Sequence, residues 1–98
     1  MSRNVQFEPE AARELLEAAD FYDHERGGLG SEFLDEVDDS IRDIVDAPES
    51  YPVVLGLTRK LVLQRFPYLV TYYIREQEIV VTAIAHQRRR PFYWRDRV

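Results

Sequence analysis

The stretch PYLVTYYIREQEIVVTAIAH, residues 67–86, predicts two antiparallel strands joined by a tight turn. Branched and aromatic residues fill both halves, and Glu76–Gln77 between them suits a two-residue hairpin turn. That turn fixes a register in which Arg75 lies opposite Glu78, Tyr72 opposite Val81, Thr71 opposite Thr82, and Leu69 opposite Ile84. The register brings an opposite-charge pair and a threonine pair together across the strands, and both pairings stabilise a sheet.

The same register assigns every side chain of the hairpin to one of two faces, because successive residues of a strand alternate. The face expected under the helices receives Tyr68, Val70, Tyr72, Ile74, Ile79, Val81, Ala83 and Ala85. The other, more polar face receives Leu69, Thr71, Tyr73, Val80, Thr82, Ile84 and His86. His86 is therefore expected on the face away from the helices, and the residues after it continue from there.

Two amphipathic helices are predicted ahead of this hairpin, over residues 9–26 and 31–46. Apolar residues recur at helical spacing in the first (Ala12, Leu15, Leu16, Ala19, Tyr22) and in the second (Phe33, Val37, Ile41, Ile44, Val45). Pro9 suits the first turn of one helix, and Ser31 can cap the start of the other. Because few residues separate the helices, they are expected to pack as an antiparallel hairpin.

Residues 3–7 and 60–66 predict two further strands, and residues 49–58 predict a connection. The order is an N-terminal strand, two helices and three strands, so the fold class is α+β. We expect one domain over residues 1–98, in which the helical hairpin packs on one face of a small antiparallel sheet. A chain of 98 residues can bury one modest hydrophobic core.

The composition indicates the setting in which the protein works. The sequence contains no cysteine, which excludes disulfides and thiolate chemistry and favours a reducing cytoplasm. Its first ten residues, MSRNVQFEPE, lack the apolar core of a signal peptide, and its apolar runs are too short to cross a bilayer. We therefore expect a cytoplasmic protein.

The sequence predicts no metal site and no cofactor. The second helix carries seven acidic residues: Glu32, Asp35, Glu36, Asp38, Asp39, Asp43 and Asp46. Carboxylates along one straight helix cannot converge on an ion, so a solvated helix face is the better interpretation. The histidines number two, His24 and His86, and neither a phosphate-binding glycine loop nor a serine nucleophile elbow is present.

The net charge of −5 conceals a division between the two halves of the chain. Residues 1–50 carry fifteen acidic residues and four arginines, a balance of −11. Residues 51–98 carry three acidic residues, eight arginines and one lysine, a balance of +6. Much of the basic charge lies in the last thirteen residues, HQRRRPFYWRDRV, which we call the C-terminal segment (residues 86–98).

Three interpretations of the C-terminal segment stay open: it binds nucleic acid, it binds a protein, or it is a structural part of the fold. Its arginines, Arg88, Arg89, Arg90, Arg95 and Arg97, can bind phosphates or carboxylates bidentately. Its aromatic residues, Phe92, Tyr93 and Trp94, can stack on nucleic-acid bases or anchor a protein interface. In a third interpretation the aromatic residues cover the sheet and the arginines pair with the acidic helices.

RKLVLQRFPYLVTYYI, residues 59–74, and VTAIAHQRRRPFYWRDR, residues 81–97, resemble the RelE/ParE toxin superfamily. More narrowly they resemble the ParE-like plasmid-stabilisation proteins, which pair an arginine and an "FPY.i.Y" strand with a closing "H.rR.P.yw..R". The first half is similar as well, in "F.PEAARELLEAADFYDHE" and "FLDEVDDSIRDIVDAPESYP". The resemblance covers nearly the whole chain, and the order and spacing of the motifs make it fairly specific.

This resemblance implies the toxin of a type II toxin–antitoxin pair, with the same α+β fold. The partner would be a small antitoxin whose C-terminal segment folds over the toxin. We expect a heterotetramer with the antitoxin, or a homodimer of the toxin in its absence. ParE-like members bind DNA gyrase and trap its cleavage complex. RelE-like members instead cut mRNA in the ribosomal A site without metal, using basic strand residues and a tyrosine near the C-terminus.

The sequence departs from the nuclease pattern at the sheet. Leu69 stands where the nuclease carries an arginine, Lys60 alone matches its strand lysines, and Trp94 holds the place of its tyrosine. The resemblance therefore favours a gyrase inhibitor over an enzyme. Target-binding residues would be Arg88, Arg89, Arg90, Tyr93, Trp94, Arg95 and Arg97. In the alternative, a ribosome-dependent mRNA endonuclease, the catalytic residues would be His86, Arg88, Arg90 and Tyr93.

Overall fold

A computed structural model of the protein describes residues 4–97. Arg3, part of the first predicted strand, and Val98, part of the C-terminal segment, lie outside the described residues. The elements are β1 (Asn4–Phe7), α1 (Pro9–Glu25), α2 (Leu29–Asp46), β2 (Val53–Leu55), β3 (Thr58–Val62), β4 (Tyr68–Arg75), β5 (Glu78–His86) and a short 3-10 helix (Arg95–Arg97). Within residues 4–97, neither α-helix has the length and apolar character that a membrane span requires.

The two predicted helices are present, but α2 begins two residues earlier than expected. Gly28 precedes it in the left-handed region, with φ of 89°. The Asp23 carboxylate at the end of α1 accepts the Gly30 N–H at 2.7 Å. That bond satisfies an N–H group that has no partner inside the helix, so a residue of α1 caps α2 and the prediction that Ser31 does so is wrong.

The two helices come close together at Gly30. A Cβ atom added there would lie 2.3 Å from the Ala19 carbonyl oxygen, so a side chain at this position would collide with α1. The helices thus form the expected hairpin, and its apolar stripes include the buried residues Ala19, Phe33 and Ile44. They pack on one face of the sheet, and the other side of the sheet is called the outer face below.

The sheet has five strands in the order β1-β5-β4-β3-β2. The expected α+β arrangement is confirmed, and the sheet is mixed because β1 runs parallel to β5 while the other pairs are antiparallel. The predicted connection contains the short strand β2. The strand predicted over residues 60–66 is β3 and ends at Val62. Beyond it the Glu36 carboxylate accepts the N–H groups of Gln64 (2.8 Å) and Arg65 (3.3 Å), which therefore do not join the ladder.

The hairpin of β4 and β5 has the predicted register only near its turn. Arg75 pairs with Glu78 and Tyr72 with Val81, as expected. Beyond that point the partners are Thr71↔Ala83 and Leu69↔Ala85, so the two pairs predicted there are wrong. Thr82 is an extra residue in β5, which makes a β-bulge. The hydroxyls of Thr71 and Thr82 are still hydrogen-bonded at 2.7 Å.

The bulge exchanges the faces of all later residues in β5. Ile84, predicted on the outer face, lies in the core under the helices. Ala83 and Ala85, predicted under the helices, lie instead in a second buried cluster on the outer face. The prediction that His86 lies on the outer face is also wrong: it pairs with Tyr68, which packs against the core under the helices, and the two rings lie 5.0 Å apart. The face predictions therefore hold from Ile79 to Val81 and fail after the extra residue.

Candidate functional site

The C-terminal segment leaves β5 at His86 and folds back over the outer face. Two hydrogen bonds to His86 stabilise its first turn. The Arg88 N–H donates to His86 Nδ1 at 3.0 Å, and the Arg89 N–H donates to the His86 carbonyl at 3.0 Å. Phe92 has a φ of 61°, in the left-handed region that few bulky residues adopt. Its carbonyl accepts the Arg95 N–H at 3.0 Å, and its ring lies 5.8 Å from that of Trp94.

Trp94 fixes the segment to the sheet. Its side chain is 5% exposed and packs against Ala83 and Ala85, with Leu69 and Val54 at the margin of the same cluster. The two alanines leave room for the indole ring, and the bulge in β5 turns them to this face. Trp94 therefore belongs to the hydrophobic core of the outer face. The structural interpretation left open by the sequence applies to this residue.

A carboxylate of α1, Glu14, holds the far end of the segment. It accepts hydrogen bonds from the Tyr93 hydroxyl at 2.8 Å and from the Arg97 guanidinium at 2.9 and 3.0 Å. The Glu14 and Arg97 side chains are 10% and 14% exposed, so this ion pair lies largely inside the protein. Glu14 thus connects the first helix with the last described residue of the chain.

The same pair closes a gap at the edge of the sheet. The pairing of β1 with β5 ends at Phe7 and Val81, although β5 continues to His86. Beyond this point the Ile84 N–H donates to Glu14 at 3.1 Å, and the Thr82 carbonyl accepts from Arg97 at 3.0 Å. Side chains therefore supply the partners that a longer β1 would have provided, and they cover part of an open edge.

The environment of Tyr93 keeps its hydroxyl protonated. Burial, together with the hydrogen bond to Glu14, raises the pKa of the Tyr93 phenol above its ordinary value. The guanidinium carbons of Arg89 and Arg97 lie 4.0 and 5.1 Å from the centre of its ring. For Arg97, burial lowers the pKa but the Glu14 carboxylate outweighs it and raises the pKa overall. Tyr93 is therefore a hydrogen-bond donor held among charged groups.

The predicted target-binding residues thus divide into two sets. Tyr93, Trp94 and Arg97 hold the segment in place. The exposed set consists of Arg88, Arg89, Arg90 and Arg95. Within residues 4–97 no carboxylate forms an ion pair with any member of the exposed set. These four arginines present concentrated positive charge at one end of an otherwise acidic molecule.

A half-open cavity of about 330 Å³ lies between the exposed arginines and the outer face. Its floor contains Leu69, Thr71 and Ala85, and its walls include Phe92 and Trp94. Of the predicted catalytic residues, His86, Arg90 and Tyr93 line this cavity, whereas Arg88 does not. Lys60, which the sequence analysis singled out only as a counterpart of the nuclease's strand lysines, lines it as well.

Glu14 was also missed, and no sequence pattern could have identified it, because its partners lie 70 to 83 residues away. The acidic residues of α2 have ordinary roles. Arg42 pairs with Asp38 and Asp39, and the hydrogen bond from Arg65 lowers the pKa of Glu32. Among the described residues, no group of three or more His, Cys, Asp or Glu side chains is arranged to hold a metal ion.

Comparison with known proteins places this chain in a family. A comparison with curated protein sequences gives no match. Among solved structures, the chain is similar to one described as the chromosomal ParDE TA system from P. aeruginosa, with a TM-score of 0.72 and 18% sequence identity. The match covers 87% of this chain and 96% of that one. The family model that describes the ParE toxin of the type II toxin–antitoxin system, parDE, matches residues 5–91. The chain therefore belongs to the ParE toxin family of type II toxin–antitoxin systems.

Proposed function

We propose that this protein is a toxin that inhibits DNA gyrase by protein–protein contact through the exposed part of its C-terminal segment. The observation that carries the proposal is the set Arg88, Arg89, Arg90 and Arg95, exposed and without a carboxylate partner within residues 4–97. Concentrated charge of one sign steers a partner of opposite sign and raises the rate of encounter. This protein would act in the cytoplasm, where gyrase and DNA are found.

An antitoxin partner follows from membership of a toxin–antitoxin family. We propose that it covers a second surface, the groove between α2 and the β1 edge. This groove has a volume of about 500 Å³ and is lined by apolar residues that include Phe7, Leu34 and Ile41, together with the carboxylates of Asp35 and Asp38. An antitoxin segment that carries apolar and basic side chains would be complementary to it. The complex with the antitoxin would be a heterotetramer, and the toxin alone would form a homodimer.

The nuclease alternative has one observation in its favour, since His86, Arg90 and Tyr93 line the same cavity. Metal-free RNA cleavage needs a base, an acid and cations around the phosphate. A raised pKa makes Tyr93 a poor base at neutral pH, and its hydroxyl donates to Glu14. Leu69, in the cavity floor, supplies no charge. These features favour contact over catalysis.

Two purified systems test the proposal. The wild-type protein is added to a gyrase supercoiling reaction and, separately, to ribosomes programmed with mRNA. We expect supercoiling to be inhibited and the mRNA to remain intact, and the inhibition to weaken as salt is raised. Arg88→Glu should weaken inhibition by about tenfold, since a reversed rim charge slows association. Arg13→Glu, the same charge change at an exposed site on α1, serves as the control.

Two results would overturn the proposal. Unimpaired supercoiling at saturating toxin would remove gyrase as the target. Cleavage of the programmed mRNA that is lost in His86→Ala would establish the nuclease alternative instead.

Antitoxin binding is tested by co-expressing the toxin with the product of the neighbouring gene. Separate elution of the two proteins at micromolar concentration would argue against the antitoxin partner.

A further inference from the structure

The cavity beneath the C-terminal segment combines an apolar floor with a basic rim. Leu69 and Phe92 supply accessible apolar surface, Ala85 and Trp94 lie buried behind it, and Lys60, Arg89 and Arg90 supply positive charge. Among the described residues, no aspartate or glutamate lines the cavity. A ligand that fits this combination carries a negative charge next to an apolar group. The cavity's volume of about 330 Å³ lies at the lower end of the range for ligand pockets and is large enough for one or two side chains.

Lys60 is the innermost of the cations. It pairs with Thr71 in the β3–β4 ladder, so its side chain is on the outer face with the hydrogen-bonded hydroxyls of Thr71 and Thr82. The residue is only partly exposed, whereas Arg89 and Arg90 are exposed. Within residues 4–97 Lys60 forms no ion pair, although it also borders a groove that contains Glu36, Asp39 and Asp43. An unpaired cation that has lost part of its hydration gains from an incoming anion.

The aromatic residues argue against single-stranded nucleic acid as the ligand. Binding of that kind uses accessible aromatic rings on which bases stack. Here Trp94 is 5% exposed, and the Tyr93 ring already has the Arg89 guanidinium 4.0 Å from its centre. Phe92, at 40% exposed, is the accessible ring among the three. The balance of −11 in residues 1–50 also repels an extended polyanion, whereas a short acidic peptide places its charge only at the cavity.

We infer that this cavity receives an acidic side chain and a neighbouring apolar side chain from an extended segment of the target protein. Lys60 and Arg90 would bind the carboxylate, and Leu69 and Phe92, the more accessible apolar residues of the lining, would contact the apolar group. The inference rests on the proposed function and deepens it, because it names the chemistry of the target segment. It also makes Lys60 a specificity-determining residue outside the C-terminal segment.

A peptide titration tests the chemistry of the cavity directly. Trp94 is the one tryptophan of the chain, so intrinsic fluorescence reports on the cavity wall. The probe is an acetylated, amidated pentapeptide of alternating glutamate and leucine, and its control has glutamine in place of glutamate. We expect a saturable change with the acidic peptide that weakens about tenfold in Lys60→Glu and is unchanged in Arg13→Glu. Equal response to both peptides, or a stronger response to an oligothymidylate, would overturn the inference.

A second arm uses gyrase itself and separates this inference from the proposed function. Surface-immobilised gyrase is titrated with the wild type, Lys60→Glu and Arg13→Glu, and circular dichroism establishes that all three are folded. Loss of about tenfold in affinity for Lys60→Glu alone supports the inference. Equal affinity of the wild type and Lys60→Glu would overturn the inference and leave the proposed function standing. No binding by the wild type would overturn both.

Discussion

Glu14 of α1 and Arg97 of the C-terminal segment form an ion pair with an N–O distance of 2.9 Å, although 83 residues separate them in the sequence. Both side chains are largely buried, and the bonds they make to Ile84 and Thr82 continue the edge of β5. A pair of this kind is costly to break, because removal of one partner leaves a buried charge uncompensated. The first helix and the end of the segment therefore depend on each other for stability.

Glu14→Ala should lower the free energy of unfolding by about 2–4 kcal/mol, because Tyr93, Ile84 and Arg97 all lose their acceptor. Glu17→Ala, at an exposed site one turn further along α1, should change it by less than about 0.5 kcal/mol. Urea denaturation followed by circular dichroism measures both. Equal stability of the two variants would show that the ion pair contributes nothing.

Trp94→Ala should lower the free energy of unfolding by about 3–5 kcal/mol, since it leaves a cavity in the hydrophobic core of the outer face. Phe92→Ala, which removes a partly exposed ring, should cost less than about 1 kcal/mol. The comparison is made by thermal and urea unfolding. It follows that deletion of residues 88–98 would unfold the protein, so loss of toxicity on truncation does not by itself identify a contact surface. A truncated protein with wild-type stability would contradict this.

Gly30→Ala should destabilise the protein by about 1–3 kcal/mol, because its Cβ would meet the Ala19 carbonyl at 2.3 Å and force α1 and α2 apart. Gly27 provides the matched control, since no atom lies within 4 Å of the Cβ that alanine would add. Gly27→Ala should leave stability unchanged or slightly raised. A Gly30→Ala variant as stable as the control would show that the helices can separate without cost.

Stability should fall as the pH rises from about 10 to about 12. Burial raises the pKa of Tyr72 from 10.0 to about 12, so between these values the folded state keeps a proton that the unfolded state has lost. The stabilisation is complete below pH 10 and disappears as the pH passes the pKa of Tyr72 in the folded state.

Tyr72→Phe removes this ionisation and should make the decline in stability shallower. It also removes the hydrogen bond to the Pro48 carbonyl, at 2.6 Å, and should lower stability near neutral pH. Urea unfolding at a series of pH values measures both effects, and an equally steep decline in the variant would contradict the assignment.

Periodicity predicted the elements whose stabilising contacts are local. The stripe of Phe33, Val37 and Ile44 predicted α2, and the Glu76–Gln77 turn with its Arg75–Glu78 pair predicted the hairpin. Registers fixed by a turn are reliable close to that turn. They hold only until a residue is inserted, and nothing in the local sequence distinguishes Thr82 from its neighbours as the extra residue.

Contacts between distant parts of the chain could not be predicted in this way. Composition drew attention to the C-terminal segment, but it could not separate the buried Trp94 and Arg97 from the exposed Arg88 and Arg90. That distinction depends on the alanines that the bulge turns to the outer face and on a carboxylate in the first helix. The parallel pairing of β1 with β5 is equally non-local, and the sequence indicated an antiparallel sheet.

The pairing of β1 with β5 determines when the sheet can be completed during translation. The first strand to leave the ribosome pairs with the last one. Glu14 likewise cannot form its ion pair until Arg97 has been synthesised. A nascent chain that has reached Asp46 has both helices but no sheet to cover their apolar stripes, a state prone to bind other chains. The acidic half is complete long before the basic half. The folded C-terminal segment therefore appears only after translation has passed residue 97, later than the two helices.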